Sequence, residues 1–159
     1  MTPPWYPTAV QGSTHLVTDG AGGAFMAGGH TGQVQLLGSL FGPSGSFQQK
    51  ILLARVSAEG SFVWAMSFGV THETVLDMAA DGSGGVWVVG RSMSPQMALG
   101  TKCLASTLVT GSCPTWSSSS YPDGSCPETC AGTRRGHNFL ARIDSSGSVL
   151  HATSVGPDS

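Results

Sequence analysis

One stretch occurs twice in this chain. Residues 17–29 read V-T-D-G-A-G-G-A-F-M-A-G-G, and residues 79–91 read A-A-D-G-S-G-G-V-W-V-V-G-R. Asp19 and Asp81 stand 62 positions apart, and the register holds without a gap from His15 and Asp77 to Gly38 and Gly100. A second pair, L-A-R-V-S-A-E-G-S-F-V-W-A-M-S-F-G over 53–69 and L-A-R-I-D-S-S-G-S-V-L-H-A-T-S-V-G over 140–156, is offset by 87. The second copy therefore carries 25 residues more than the first between these landmarks, and all four cysteines lie there. A chain that repeats so short a pattern builds one supersecondary unit per copy and stacks the units to bury a core.

Aspartate bonds its own backbone two residues on, and glycine accepts positive φ without steric cost, so D19-G-A-G-G23 and D81-G-S-G-G85 read as tight turns. Around them the first unit shows strands at 14–18, 24–28, 50–57 and 62–68. The second shows them at 73–80, 86–91, 137–144 and 149–155. Four strands joined by tight turns make an antiparallel meander. Residues 30–38 alternate only weakly, and 40–47 read as loop. The stretch E73-T-V-L-D-M-A-A80 is ambiguous with helix, but its partner at 14–19 is β-branched and has no helical spacing. The runs I51-L-L-A and V86-W-V-V are continuously apolar, which implies burial on both faces and hence a sheet stacked on either side.

The length suits one compact domain. Only 10% of residues are charged, against roughly 25% in an average soluble domain. The net charge is −2 and Lys50 and Lys102 are the lysines, which excludes a nucleic-acid footprint. No run reaches the ~18 apolar residues of a membrane helix. Residues 1–8 lack the basic and apolar regions of an export signal, so such a signal is expected either to have been removed or to lie outside this stretch. Residues 1–12, with Pro3, Pro4 and Pro7, read as an N-terminal segment or the tail of a preceding unit. Residues 13–71 then form the first unit, and 72–159 the second, with an insert at about 101–136.

The pieces D81-G-S-G-G-V-W-V-V-G90, F139-L-A-R-I-D-S-S-G-S-V149, S67-F-G69 and S154-V-G156 resemble the repeats of secreted bacterial β-propellers, the seven-bladed or SBBP-type repeat family. The resemblance covers nearly everything outside residues 1–12 and the cysteine insert. Trp64 sits where the family pattern often has tryptophan, and His151 replaces it in the second unit. The resemblance implies an all-β fold, with tandem four-stranded antiparallel meanders as two blades of a β-propeller, open or closed by oligomerisation. It also implies an extracytoplasmic scaffold or recognition module, secreted or at the cell surface, without specifying chemistry. Open apolar faces and edges aggregate unless covered. The chain is therefore expected to be a piece of a longer propeller or a self-associating subunit.

Cys103, Cys113, Cys126 and Cys130 sit in a polar stretch rich in Pro, Gly and Ser, the setting a pair of disulfides staples. Zinc is the competing reading, and the spacing lacks paired C-x-x-C knuckles. Of the three connectivities, proximity favours Cys103–Cys113 with Cys126–Cys130. The insert links strands two and three of its unit, at the end of the sheet that in propellers commonly forms the ligand face, by analogy only. Trp116, Tyr121, Arg134 and Arg135 are of the residue types enriched in recognition hot spots, and are the candidate contacts for a protein or glycan partner. In the competing reading Trp116 and Tyr121 pack the insert's own small core.

Asp19 and Asp81 occupy matching turns and are expected to order them, rather than to bind calcium or act as paired acids. Arg55 and Arg142 lie inside apolar strands, where a charge needs an exit to solvent or a partner, either a carboxylate or a backbone carbonyl. The five histidines show no close pairing and no G-x-S-x-G elbow appears, so no catalytic residue, metal or cofactor is assigned. The expectation is a non-enzymatic recognition or surface-assembly module. The alternatives are a purely structural subunit of a ring or fibre and, last, a fragment of a glycan-processing propeller enzyme.

Overall fold

The computed structural model describes residues 14–41, 49–69, 72–94, 96–100, 102–105 and 137–157. These form twelve strands and no helix: β1 His15–Thr18, β2 Ala24–Thr31, β3 Val34–Leu36, β4 Ser39–Phe41, β5 Gln49–Val56, β6 Phe62–Phe68, β7 Glu73–Ala80, β8 Val86–Ser92, β9 Gln96–Leu99, β10 Lys102–Ala105, β11 His137–Ile143 and β12 Val149–Pro157. Sheet one has the order β1-β2-β5-β6 and sheet two the order β7-β8-β11-β12, and every neighbouring pair is antiparallel. The protein is all-β, with two four-stranded antiparallel sheets.

The loop expected at 40–47 is in part a strand. Val34–Leu36 and Ser39–Phe41 pair as a small hairpin around Leu37 and Gly38, at φ 52° and 74°. Positive φ at both central positions is the turn whose twist suits a two-residue hairpin. Three-residue strands are too short to declare themselves by alternation, so the hairpin was invisible to periodicity. A matching hairpin, β9 with β10, occupies the same place in the second unit, its turn one residue later in the aligned register. Lys102–Ala105 is thus part of a repeated hairpin, inside the stretch expected to be wholly insert.

The two sheets stack through one continuous core. Phe25, Ile51, Leu53 and Phe68 from sheet one meet Val88 and Phe139 from sheet two, all essentially sealed from solvent. At about 1.5–3 kcal/mol for each fully buried large apolar side chain, this joint is the main source of stability. Phe68 and Phe139 meet edge to face, with ring centroids 6.0 Å apart at 84°, an arrangement that sets a positive ring edge on a negative face. Gly90 makes room for the Phe139 ring, since a Cβ there would collide with it and with the Thr74 carbonyl. The hairpin β9–β10 closes the side of the joint, burying Met97, Leu99 and Leu104.

The apolar runs are not sealed on both sides. Along β8 the residues alternate between buried (Val86, Val88) and half-buried (Trp87, Val89), and Ile51 and Leu53 are sealed while Leu52 between them is half-open. Among the described residues, each sheet thus has one face in the joint and one apolar face turned outward.

Candidate functional site

The repeated aspartate and arginine meet in each sheet. Asp19 Oδ1 accepts hydrogen bonds from the backbone N–H groups of Ala21 and Gly23, at 2.8 and 2.9 Å, which holds its turn. Its Oδ2 accepts from Arg55 Nε and Nη2, at 3.2 and 2.8 Å. In sheet two, Asp81 Oδ1 accepts from the Ser83 and Gly85 N–H groups, both at 2.8 Å. Its Oδ2 takes Arg142, with Nε at 2.9 and Nη2 at 2.7 Å, and the Ser83 hydroxyl at 2.9 Å. Gly23 and Gly85 are required there, because a Cβ would sit 2.5 Å from the Val56 carbonyl oxygen and 2.6 Å from that of Ile143, respectively. The aspartates order their turns, as expected from their positions, and the same carboxylates also satisfy the strand arginines.

These contacts favour the ionised carboxylates. The Arg55 guanidinium, then the turn amides, hold Asp19 below its ordinary pKa. The Ser83 amide, followed by the Arg142 bond and the Gly85 amide, holds Asp81 far below it against the opposing effect of desolvation. Asp144, which takes the place of Ser57 in the second unit, is lowered by the Ser146 hydroxyl and the Ser148 amide, and caps the β11–β12 turn.

Arg55 does more than hold its own turn. Its Nη1 donates to the carbonyl oxygen of Ser145 in sheet two at 3.1 Å, and Trp64 Nε1 donates to the same oxygen at 2.9 Å. Gly147, at φ 88°, lies flat on the Trp64 ring, where a Cβ would come within 3.0 Å of it. The β11–β12 turn is therefore seated on an arginine and a tryptophan of sheet one. His15 Nε2 adds a bond to the Val75 carbonyl oxygen at 3.1 Å.

A buried polar cluster sits at one end of sheet two. Glu73, Ser92 and His137 share a rung of the sheet, and all three are sealed from solvent. The Ser92 and Ser94 hydroxyls donate to Glu73 Oε1 at 3.1 Å each. A serine, a histidine and a carboxylate on one rung carry the residue types of acyl-transfer chemistry. Sequence reasoning missed the cluster because its members lie far apart in the chain, and only the strand register joins them. In sheet one the same end carries His30, whose burial pushes its pKa down. His30 Nδ1–H donates to the Gly32 carbonyl oxygen, so Nε2 accepts the Ser67 hydroxyl. Among the described residues no group of three or more His, Cys, Asp or Glu is placed to hold a metal ion.

The two outward faces are the remaining candidates for contact. Sheet one presents a groove of about 220 Å³, lined by Met26, Gly28, Leu52 and Phe62 and walled by Val34 and Leu36 of the first hairpin. Sheet two presents Trp87 with Arg142 over its ring at 5.8 Å and His151 beside it at 6.4 Å. The candidate partner contacts Trp116, Tyr121, Arg134 and Arg135 lie outside the described residues, as do Cys113, Cys126 and Cys130; Cys103 lies on β10, its backbone opposite Ala98. No family model matches the chain, and no curated protein or solved structure matches it significantly.

Proposed function

We propose that this chain is a non-enzymatic association module, two blades of a β-propeller-type repeat, that works outside the cytoplasm by offering its sheet faces to a protein partner. The groove over sheet one carries this reading. It is largely apolar and lies on the face of sheet one turned away from the joint, and contiguous outward apolar surface of this kind marks interaction sites. Thr14 and His30 are its polar lining residues and the rest is apolar, which favours a protein over a glycan, whose hydroxyls need hydrogen-bonding partners. The non-enzymatic part is supported by the carboxylates, since Asp19, Asp81 and Asp144 each hold their own turn and Glu73 is sealed. Four cysteines in one short stretch favour an oxidising, extracytoplasmic setting.

The test uses anilinonaphthalene sulfonate as a probe of the groove. The folded chain, followed through dilution, should light the dye, and Leu52→Arg should abolish the signal while the far-ultraviolet circular dichroism stays native. A folded monomer that leaves the dye dark overturns the reading.

A further inference from the structure

The joint inside this chain has two halves, and each half is present a second time on an outward face. Sheet one's half consists of Phe25, Arg55, Trp64 and Phe68, with Arg55 over the Phe25 ring at 5.8 Å and Trp64 beside it at 6.0 Å. The repeat offsets place Trp87, Arg142, His151 and Val155 at the same positions on the outward face of sheet two. There Arg142 stands over Trp87 at the same 5.8 Å, held by Asp81 as Arg55 is held by Asp19. The strand register matches as well, for Phe68 pairs with Ile51 and Val155 with Asn138, the two equivalent rungs.

The receiving half repeats too. In the joint, sheet two offers Phe139, the Ser145 carbonyl and the open surface of Gly147. The equivalents on sheet one are Leu52, Ala58 and Gly60. The two turns share their geometry: Gly60 has φ 83° and its N–H donates to Ser57 O at 3.0 Å, while Gly147 has φ 88° and its N–H donates to Asp144 O at 3.1 Å. They differ in what covers them. A Cβ on Gly147 would meet Trp64, whereas one on Gly60 would meet nothing within 4 Å. The hairpins differ likewise, since Leu99, which ends β9, is 0% exposed, while Leu36, which ends β3 at the same place before its turn, is half-buried.

We infer that a second copy of this chain docks head to tail, the outward face of its sheet two on the outward face of sheet one, repeating the joint within the chain. This rests on the association reading and names the partner. Arg142 and His151 of one copy donate to the Ala58 carbonyl oxygen of the next, His151 through a ring N–H in place of the tryptophan's. Val155 meets Leu52 where Phe68 meets Phe139 in the existing joint, and Leu36 is covered as Leu99 is. One contact does not repeat: Asp77 stands where His15 does, and a carboxylate cannot donate to a carbonyl. A head-to-tail contact leaves one donor face and one acceptor face at the ends, so it forms a ring if the rotation closes and a filament if it does not.

Light scattering on size-exclusion chromatography tests this with two variants, Leu52→Arg on the acceptor face and Val155→Arg on the donor face. Val155 is 47% exposed, so its replacement spares the fold, and native circular dichroism is required of both. The wild-type chain should run as a multiple of 16.2 kDa. Each variant alone should fall to the monomer mass. An equimolar mixture should return to twice the monomer mass and no further, because the two copies share one intact pair of faces. A wild-type monomer at the highest soluble concentration, a single variant that remains multimeric, or a mixture that stays monomeric overturns the inference. A wild-type monomer that still lights the dye leaves the association reading standing and removes only self-assembly.

Discussion

Phe139→Ala is expected to lower the unfolding free energy by about 3–5 kcal/mol, a large part of the total stability of a domain this size. The ring is fully buried, lies edge-on to Phe68 of the other sheet, and fills the space that Gly90 leaves open. Neighbours on three strands are hydrogen-bonded in register and cannot collapse inward without breaking the ladder, so most of the cavity persists. Urea titration followed by circular dichroism should show the midpoint fall with the slope unchanged. Leu150→Ala, at an exposed bulge of β12, is the control and should stay within about 0.5 kcal/mol. A loss below about 1 kcal/mol for Phe139→Ala would mean that the sheets are not stacked through this ring.

Acid should unfold the protein through its turn aspartates. Asp19, Asp81 and Asp144 all have folded pKa values below the ordinary 3.8. Below that value the unfolded chain binds protons that the folded chain refuses, so stability falls with pH. The contribution is fully present above 3.8 and is lost as pH drops through the lowered folded values. Buried His30, with its folded pKa below 6.5, adds an earlier decline that begins as pH falls past 6.5. Thermal melts should therefore show a gentle loss between neutrality and pH 5 and a steep one below about pH 4. The double variant Asp19→Asn with Asp81→Asn should start lower at pH 7, fall less steeply, and approach the wild-type curve in strong acid. A wild-type melting temperature that is flat below pH 4 would contradict the role given to these carboxylates.

Much of this was legible in the sequence because repetition doubles every weak signal. Asp19 and Asp81 mark turns whose flanking runs must be strands, and the offsets of 62 and 87 place Arg55 and Arg142 at one strand position in each sheet. The need for a partner followed from a charge within an apolar strand, but a carboxylate and a backbone carbonyl were equally open, and Arg55 takes both. The hairpins around Leu37 and Gly100 were hidden by their short strands, and the first turns on a non-glycine residue at positive φ. Trp64 was recognisable as a landmark, but its partner, the Ser145 carbonyl, is a backbone group, and backbone carries no letter to read. The second face of each apolar run was expected to be covered, whereas the described residues leave it half-open. The candidate partner contacts at 116–135 fall outside those residues, and the association reading rests on the sheets alone.

The unequal links between strands bear on how the chain finds its fold. Between β4 and β5 the chain has 7 residues, and between β10 and β11 it has 31. From β2 to β5 this makes 17 intervening residues and from β8 to β11 it makes 44. Closure entropy grows by about 0.6 kcal/mol for each doubling of loop length, so bringing β11 to β8 costs about 0.8 kcal/mol more than bringing β5 to β2. That is roughly a fourfold handicap in encounter probability. Sheet one is thus the faster half, and its β5–β6 ladder can serve as the template on which Phe139 docks and sheet two orders. Pulse-labelled hydrogen exchange during refolding would record the order directly, with the amides of β2 and β5 protected before those of β8 and β11.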